Sequence, residues 1–226
     1  MIKQAGMNIK EIYLQTSRLD QLKEFYSNIL QLKVENSSSE IFTLFTTNTN
    51  VIFEKALKHD PVYHFAFNIP SNKIHEASQW LMEKMSLMWL KDYESYIADF
   101  INWNAQSVYF MDPAGNIVEF ISRFDLNDNV SSAFSPEQIR SVSEIGLVFS
   151  KADYHNRVNA ILSECPLTYF SKQPSHESFC AIGDDEGLFI CVEEGRAWYP
   201  TVKEGAGIFP LKVLFEKNDK KYVYTL

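Results

Sequence analysis

Apolar and polar positions change period several times along the chain, and each change marks an element. Residues 9–16 alternate as a half-buried strand does, and Leu19, Leu22, Phe25, Tyr26, Ile29 and Leu30 then recur at helical spacing. Short β-rich pieces follow at 33–35, 41–46 and 51–56, separated by Asn, Ser and Thr. That order is a βαβββ unit. The pattern restarts with a strand at 62–69. Its helix carries Ile74, Ala77, Leu81 and Met85 on one stripe, with Trp80 beside them and Ser71 or Asn72 as the cap. Strands at 107–111 and 116–121 close this second unit. They are joined by Asp112-Pro113-Ala114-Gly115, where Pro fixes φ and Gly accepts a positive one.

Two stretches between elements are less regular. Residues 86–105 carry Trp89, Tyr93, Tyr96, Phe100 and Trp103, an aromatic set that suits either packing or the cover of a pocket. Residues 125–132 are polar and read as a linker, and Ser135-Pro136-Glu137-Gln138 opens a short helix. A third copy begins beyond it, with a strand at 144–149, a helix at 153–162, and a hairpin of 179–182 with 188–192 around Asp184-Asp185-Glu186-Gly187. Strands at 211–216 and 222–226 end the chain and are too short for a fourth complete unit. The expected division is residues 1–124 as a two-module domain, 125–142 as a linker with a short helix, and 143–226 as a third, degenerate βαβββ module.

The three unit starts superpose as Glu11-Ile12-Tyr13-Leu14, His64-Phe65-Ala66-Phe67 and Glu144-Ile145-Gly146-Leu147. Successive strand residues face opposite sides, so the apolar pairs Ile12 and Leu14, Phe65 and Phe67, and Ile145 and Leu147 pack under their helices. Glu11, His64 and Glu144 then face the other way. In the closing strand of the second unit Val118 and Phe120 suit the helix side, which sends Glu119 to the same surface as His64. The closing strand of the first unit aligns in two registers, one placing Glu54 opposite Glu119 and the other Phe53. Glu54 is preferred, because burying an unpaired carboxylate under the helix costs several kcal/mol.

Composition narrows the function. The 226 residues are 46% hydrophobic and 22% charged, which is ordinary globular usage. No apolar run approaches the roughly 20 residues of a membrane span, and the first residues lack the apolar core of a signal peptide. Cys165, Cys180 and Cys191 show no disulfide or thiolate-metal spacing and read as free thiols, so a cytoplasmic address is expected. A formal charge of −8 without a Lys/Arg cluster excludes nucleic acid and anionic membrane as expected partners. A small-molecule substrate is the expectation that is left.

The tandem units, His64 at the start of the second, and the run Val108-Tyr109-Phe110-Met111-Asp112-Pro113-Ala114-Gly115-Asn116-Ile117-Val118-Glu119-Phe120 at its end together resemble the vicinal oxygen chelate superfamily. This is the glyoxalase, bleomycin-resistance and extradiol dioxygenase group. The resemblance covers residues 7–124, with a degenerate copy over 144–192. It implies an α+β fold in which two modules form a cup-shaped mixed sheet. A divalent metal would sit at the cup's base, held by side chains of the modules' first and last strands. Carried over, those positions are Glu11, Glu54, His64 and Glu119. Glu11, His64 and Glu119 are the expected metal ligands, and Glu54 and Glu119 the expected catalytic carboxylates. One imidazole with carboxylates is a hard donor set, suited to Mn²⁺, Fe²⁺, Ni²⁺, Zn²⁺ or Mg²⁺. Glu144 faces Cys191 or Ile190 where Glu119 has its counterpart, so no metal is expected there.

Each candidate also has a plain structural reading. His64 could be a core histidine bonded to a backbone carbonyl, Glu11 a solvated strand-start residue, and Glu54 a surface partner of Lys55. Glu119 has fewer such readings, because an isolated carboxylate in an apolar strand is costly. His59, His75, His155 and His176 read as surface residues. Asp125, Asn127 and Asp128 lack the later Gly and Glu of a calcium loop. In Gly195-Arg196-Ala197-Trp198-Tyr199-Pro200 the Arg either meets an anion or stacks on the Trp. Clustered carboxylates repel, and a divalent ion relieves them while polarising neighbouring substrate oxygens. The expected function is therefore metal-dependent lyase or isomerase chemistry through an enolate or oxyanion. A ring-cleaving dioxygenase and a metal-free sequestering protein are the alternatives. A lone third module cannot close a cup, so a homodimer is expected.

Overall fold

The computed structural model describes residues 6–56, 60–202 and 205–226. The first unit comprises β1 (Asn8–Thr16), α1 (Leu19–Glu24), β2 (Lys33–Ser38), β3 (Ile41–Phe45) and β4 (Asn50–Lys55). Its helix runs on as a π-helical turn over Phe25–Ile29. The second comprises β5 (His64–Ile69), α2 (Ile74–Met82), β6 (Ala98–Phe100), β7 (Ala105–Met111) and β8 (Ile117–Arg123). The third has β9 (Ser141–Phe149), α3 (Tyr154–Glu164), β10 (Phe179–Asp184) and β11 (Gly187–Glu193), and β12 (Leu211–Lys217) with β13 (Lys220–Thr225) ends the chain. The aromatic stretch before β7 thus contains a strand, β6, that alternation alone does not reveal. The third unit lacks one strand. In its place Tyr169 makes a single bridge to Ile182, and the Phe170 N–H donates to Ala181 O.

Two curled mixed sheets result. One has six strands in the order β13-β12-β1-β4-β3-β2 and the other seven in the order β10-β11-β9-β5-β8-β7-β6. The pairing corrects the expectation that the first two units share a cup. β5 runs antiparallel to β9, which joins the second unit to the third, while β1 runs antiparallel to β12. The third unit thus finds its partner strand within the chain. Residues 125–142 carry the chain from β8 to β9 inside one sheet, and they are docked: Asp128 accepts from the Ser71 hydroxyl and N–H at 2.7 and 2.9 Å. Ser71 therefore does not cap α2. Lys73 stands at that position and makes no side-chain capping bond.

The apolar pairs at the unit starts, Ile12/Leu14, Phe65/Phe67 and Ile145/Leu147, all lie in one core with the helix residues Leu22, Tyr26, Ala77, Leu81, Val158 and Ile161. A second cluster occupies the other face of the seven-stranded sheet and includes Tyr109, Ile190, Val192 and Trp198. At the turn before β8, Asp112 ties the two layers together. Its carboxylate accepts from Tyr26 Oη on the π-helical turn at 2.8 Å and from Asn116 Nδ2 at 2.8 Å. Gly115 supplies the positive φ of +86° that the turn requires. No helix among the described residues is long and apolar enough to cross a membrane.

Candidate metal centre

His64 opens β5, Glu119 lies in β8 and Glu144 in β9. Strand pairing places Ala66 opposite Glu119 on one side and opposite Glu144 on the other. The three side chains converge on the inner face of the seven-stranded sheet. His64 Nε2 is 3.7 Å from Glu119 Oε2 and 4.0 Å from Glu144 Oε2, and one donor atom from each residue falls within 4.8 Å of the others. All three are buried.

The structure therefore brings His64 and Glu119 together, as expected, and adds Glu144, which was expected to stand apart. It does not bring Glu11 or Glu54 there. Both lie in the six-stranded sheet, because β1 pairs with β4 and β12 and not with β5. Glu11 instead accepts a 2.7 Å hydrogen bond from Tyr13 Oη. In β4 it is Phe53 that enters the core, while Glu54 faces the other way. The register position matching Glu119 belongs to neither, since Tyr13 pairs with Ile52 as Ala66 pairs with Glu119. In the third unit that position is Ile190, the partner of Gly146. Four equivalent strand positions thus surround the inner face of the seven-stranded sheet. Three carry donors, and Ile190 leaves the fourth without one.

Burial sets the protonation states. It pushes the His64 imidazole down to about 4, so the ring is neutral. Its Nδ1 lies 3.1 Å from the Ile117 carbonyl, which only accepts; Nδ1 therefore carries the proton and Nε2 turns its lone pair toward the carboxylates. Burial, then the charge of Glu144, raises Glu119 well above the usual carboxylate range. Burial also raises Glu144, against the opposing pull of Arg123. One guanidinium faces two carboxylates, so one negative charge is in excess. A proton on Glu119 or a cation between the carboxylates discharges it. A neutral imidazole with a free Nε2 and two oxygen donors fits a divalent ion of the harder kind.

Arg123 was not among the sequence candidates. It is fully buried and pairs with Glu144, and its Nη1 lies 3.5 Å from Asp185. Its guanidinium carbon is 5.4 Å from the Trp103 ring centre and 5.9 Å from that of Phe170. Lys172 continues the chain of charges, 2.7 Å from Asp185 and 2.6 Å from Asp125. A signal was present in the sequence, because Glu119, Ile121 and Arg123 alternate onto one face of β8. Trp198 was legible only as a stacking residue. Its ring lies 5.2 Å from that of His64 at a tilt of 41°. Gly146 makes room for it, since a Cβ there would sit 2.5 Å from the indole.

Above the trio opens a cavity of about 300 Å³ lined by Trp103, Tyr109, Phe179, Trp198 and Tyr199 among others, with Arg196 and His176 at the rim. Of the other aromatic residues before β7, Phe100 also lines it. Trp89 is exposed and packs edge-on against Tyr96. His75 and His155 are on the surface, as expected, and His59 lies outside the described residues.

No family model matches the chain, and no curated protein matches it. Solved structures do. A putative dioxygenase from Bacillus subtilis subsp. subtilis str. 168 aligns over 98% of this chain and 86% of its own, with a TM-score of 0.59 at 12% identity. A glyoxalase I mutant from Zea mays aligns over 92% of this chain and 74% of its own, with a TM-score of 0.55 at 12% identity. This chain shares the fold of these two structures over most of its length, with its strands in two curled mixed sheets.

Proposed function

We propose that the cup shared by the second and third units is the active site of a metal-dependent enzyme acting on a small oxygenated molecule by lyase, isomerase or related chemistry. The observation that supports it is the buried set of His64, Glu119 and Glu144, with Nε2 free and one carboxylate charge in excess. These three residues would hold the ion. The absent donor at Ile190 leaves room on the cavity side for substrate oxygens. A divalent ion held there would supply polarisation of such oxygens and stabilisation of negative charge that develops on them. The chain's own residues do the rest. Glu119, whose surroundings favour its protonated form when no ion is bound, holds a proton at its carboxylate oxygen in that state and would release it on ligating the ion. Tyr109, the cross-strand partner of Glu119, lines the same cavity, and burial followed by the charge of Glu119 raises its phenol well above the ordinary range. Trp198 packs its ring against that of His64 and holds the imidazole in place.

One observation favours a second reading. Arg123 already balances Glu144, which is the economy of a metal-free cup that sequesters an aromatic compound. Calorimetric titration of chelator-treated protein with Mn²⁺, Ni²⁺ and Zn²⁺ separates the two. The enzyme reading expects one site per chain at about micromolar affinity or tighter, lost in His64→Ala and in Glu119→Gln. Absence of saturable binding of all three ions to the unaltered protein would leave the sequestering reading in its place.

A further inference from the structure

The metal-ligand trio accounts for the base of the cavity but not for its mouth. At the rim stands Arg196, exposed, with its guanidinium carbon 4.5 Å from the centre of the Phe179 ring. Among the described residues no carboxylate pairs with it, although Lys172, Lys217 and Arg123 are each matched to at least one acid. An arginine over an aromatic ring is held by the ring while its N–H groups remain available, and their planar fork fits a carboxylate. At the opposite end Arg123 is already paired with Glu144, so no side-chain cation there is left for an anionic ligand among the described residues. Among the described cavity side chains, the cation left for an anionic group is therefore Arg196 at this rim.

The walls between these two ends are flat rings, including Trp103, Tyr109, Trp198 and Tyr199. Tyr109 and Tyr199 meet edge to face at 5.4 Å and Trp103 and Phe170 at 5.0 Å, so the rings of the wall brace one another. A volume of about 300 Å³ admits one ring system and its substituents. One guanidinium at the rim matches a single negative charge, and its fork of N–H groups fits a carboxylate.

From this arrangement we infer that the cavity is selective for a planar aromatic or conjugated monocarboxylate, its oxygenated end at His64, Glu119 and Glu144 and its carboxylate on Arg196. This inference rests on the cup being the ligand site proposed above, but it does not require the ion. Arg196 is in this account a specificity-determining residue.

The test compares three probes of one shape, 3,4-dihydroxybenzoate, catechol and 3,4-dihydroxybenzylamine, followed by quenching of intrinsic tryptophan fluorescence. Each is titrated in Mn²⁺ and again in EDTA, into the unaltered protein, Arg196→Gln and Arg196→Lys. The carboxylate probe should bind about tenfold more tightly than catechol, and the amine most weakly. In Arg196→Gln that advantage should vanish while the affinity for catechol stays the same, and Arg196→Lys should keep part of it. An advantage that persists in EDTA for a protein that takes up no ion would remove the metal reading and leave this inference standing. An equal ratio in Arg196→Gln and the unaltered protein, tighter binding of the amine, or no saturable quenching by any probe would overturn it.

Discussion

Removing Arg123 tests the electrostatic account of the site most directly. In Arg123→Met the side-chain volume is nearly kept, but Glu144 loses the guanidinium it is paired with while remaining buried at 3% exposure. Asp185 keeps Lys172 at 2.7 Å, so the perturbation falls mainly on Glu144. Breaking a buried ion pair from one side costs about 3 to 5 kcal/mol. The loss should depend on pH. Without the guanidinium the folded-state pKa of Glu144, already raised by burial, moves further above 4.5. A raised carboxyl contributes stability below its unfolded pKa and loses it as pH rises through the folded one. Urea unfolding in EDTA should therefore show the full cost at pH 7.5 and a clearly smaller one at pH 5. Adding Glu144→Gln to Arg123→Met removes the stranded charge and should restore about 2 kcal/mol at pH 7.5. Equal losses at the two pH values, or a double variant whose loss is the sum of the single ones within about 0.5 kcal/mol, would refute the reasoning.

Other perturbations probe separate parts of the structure. Gly146→Ala should push Trp198 off His64, at a cost of about 1 to 3 kcal/mol and with a changed tryptophan emission spectrum; an unaltered spectrum would show that the indole does not depend on this glycine. Glu11→Gln and Glu54→Gln should each leave metal affinity within about twofold of the parent by calorimetry, because both residues lie in the six-stranded sheet; loss of the ion in either would contradict that partition. Burial pushes the Asp112 carboxyl up to about 6 from 3.8, against its hydrogen bonds from Asn116 and Tyr26. The folded state thus holds this proton more tightly. The associated stability is present below about pH 4 and lost as pH rises to 6, amounting to about 3 kcal/mol from the two-unit shift. Asp112→Asn should lack this fall in pH-dependent chemical denaturation, and parallel curves for the two proteins would refute the assignment.

Local pattern determined the elements and the faces of the strands. Period-two alternation separated Ile12, Phe65 and Ile145 from Glu11, His64 and Glu144, because successive side chains must leave a strand on opposite sides, and the core is divided in that way. The same rule carried Glu119 to the face of His64. It holds whichever strands become neighbours. Which strands do become neighbours is decided by long-range pairing, and no local period encodes it. Three units offered more than one way to make a cup, and the choice of β9 over β1 as the partner of β5 replaced Glu11 with Glu144 at the site. The tertiary structure likewise decided the roles of Arg123 and Trp198. Arg123 ends an apolar strand and resembles a domain edge in the sequence, yet it is buried against an acid 21 residues further along the chain. Trp198 reaches His64 across a strand where only glycine leaves space. Strand periodicity depends on covalent geometry and is therefore written in consecutive residues. The site depends on which acids, cations and rings meet across the sheet, and that follows from a global balance of buried charge and packing.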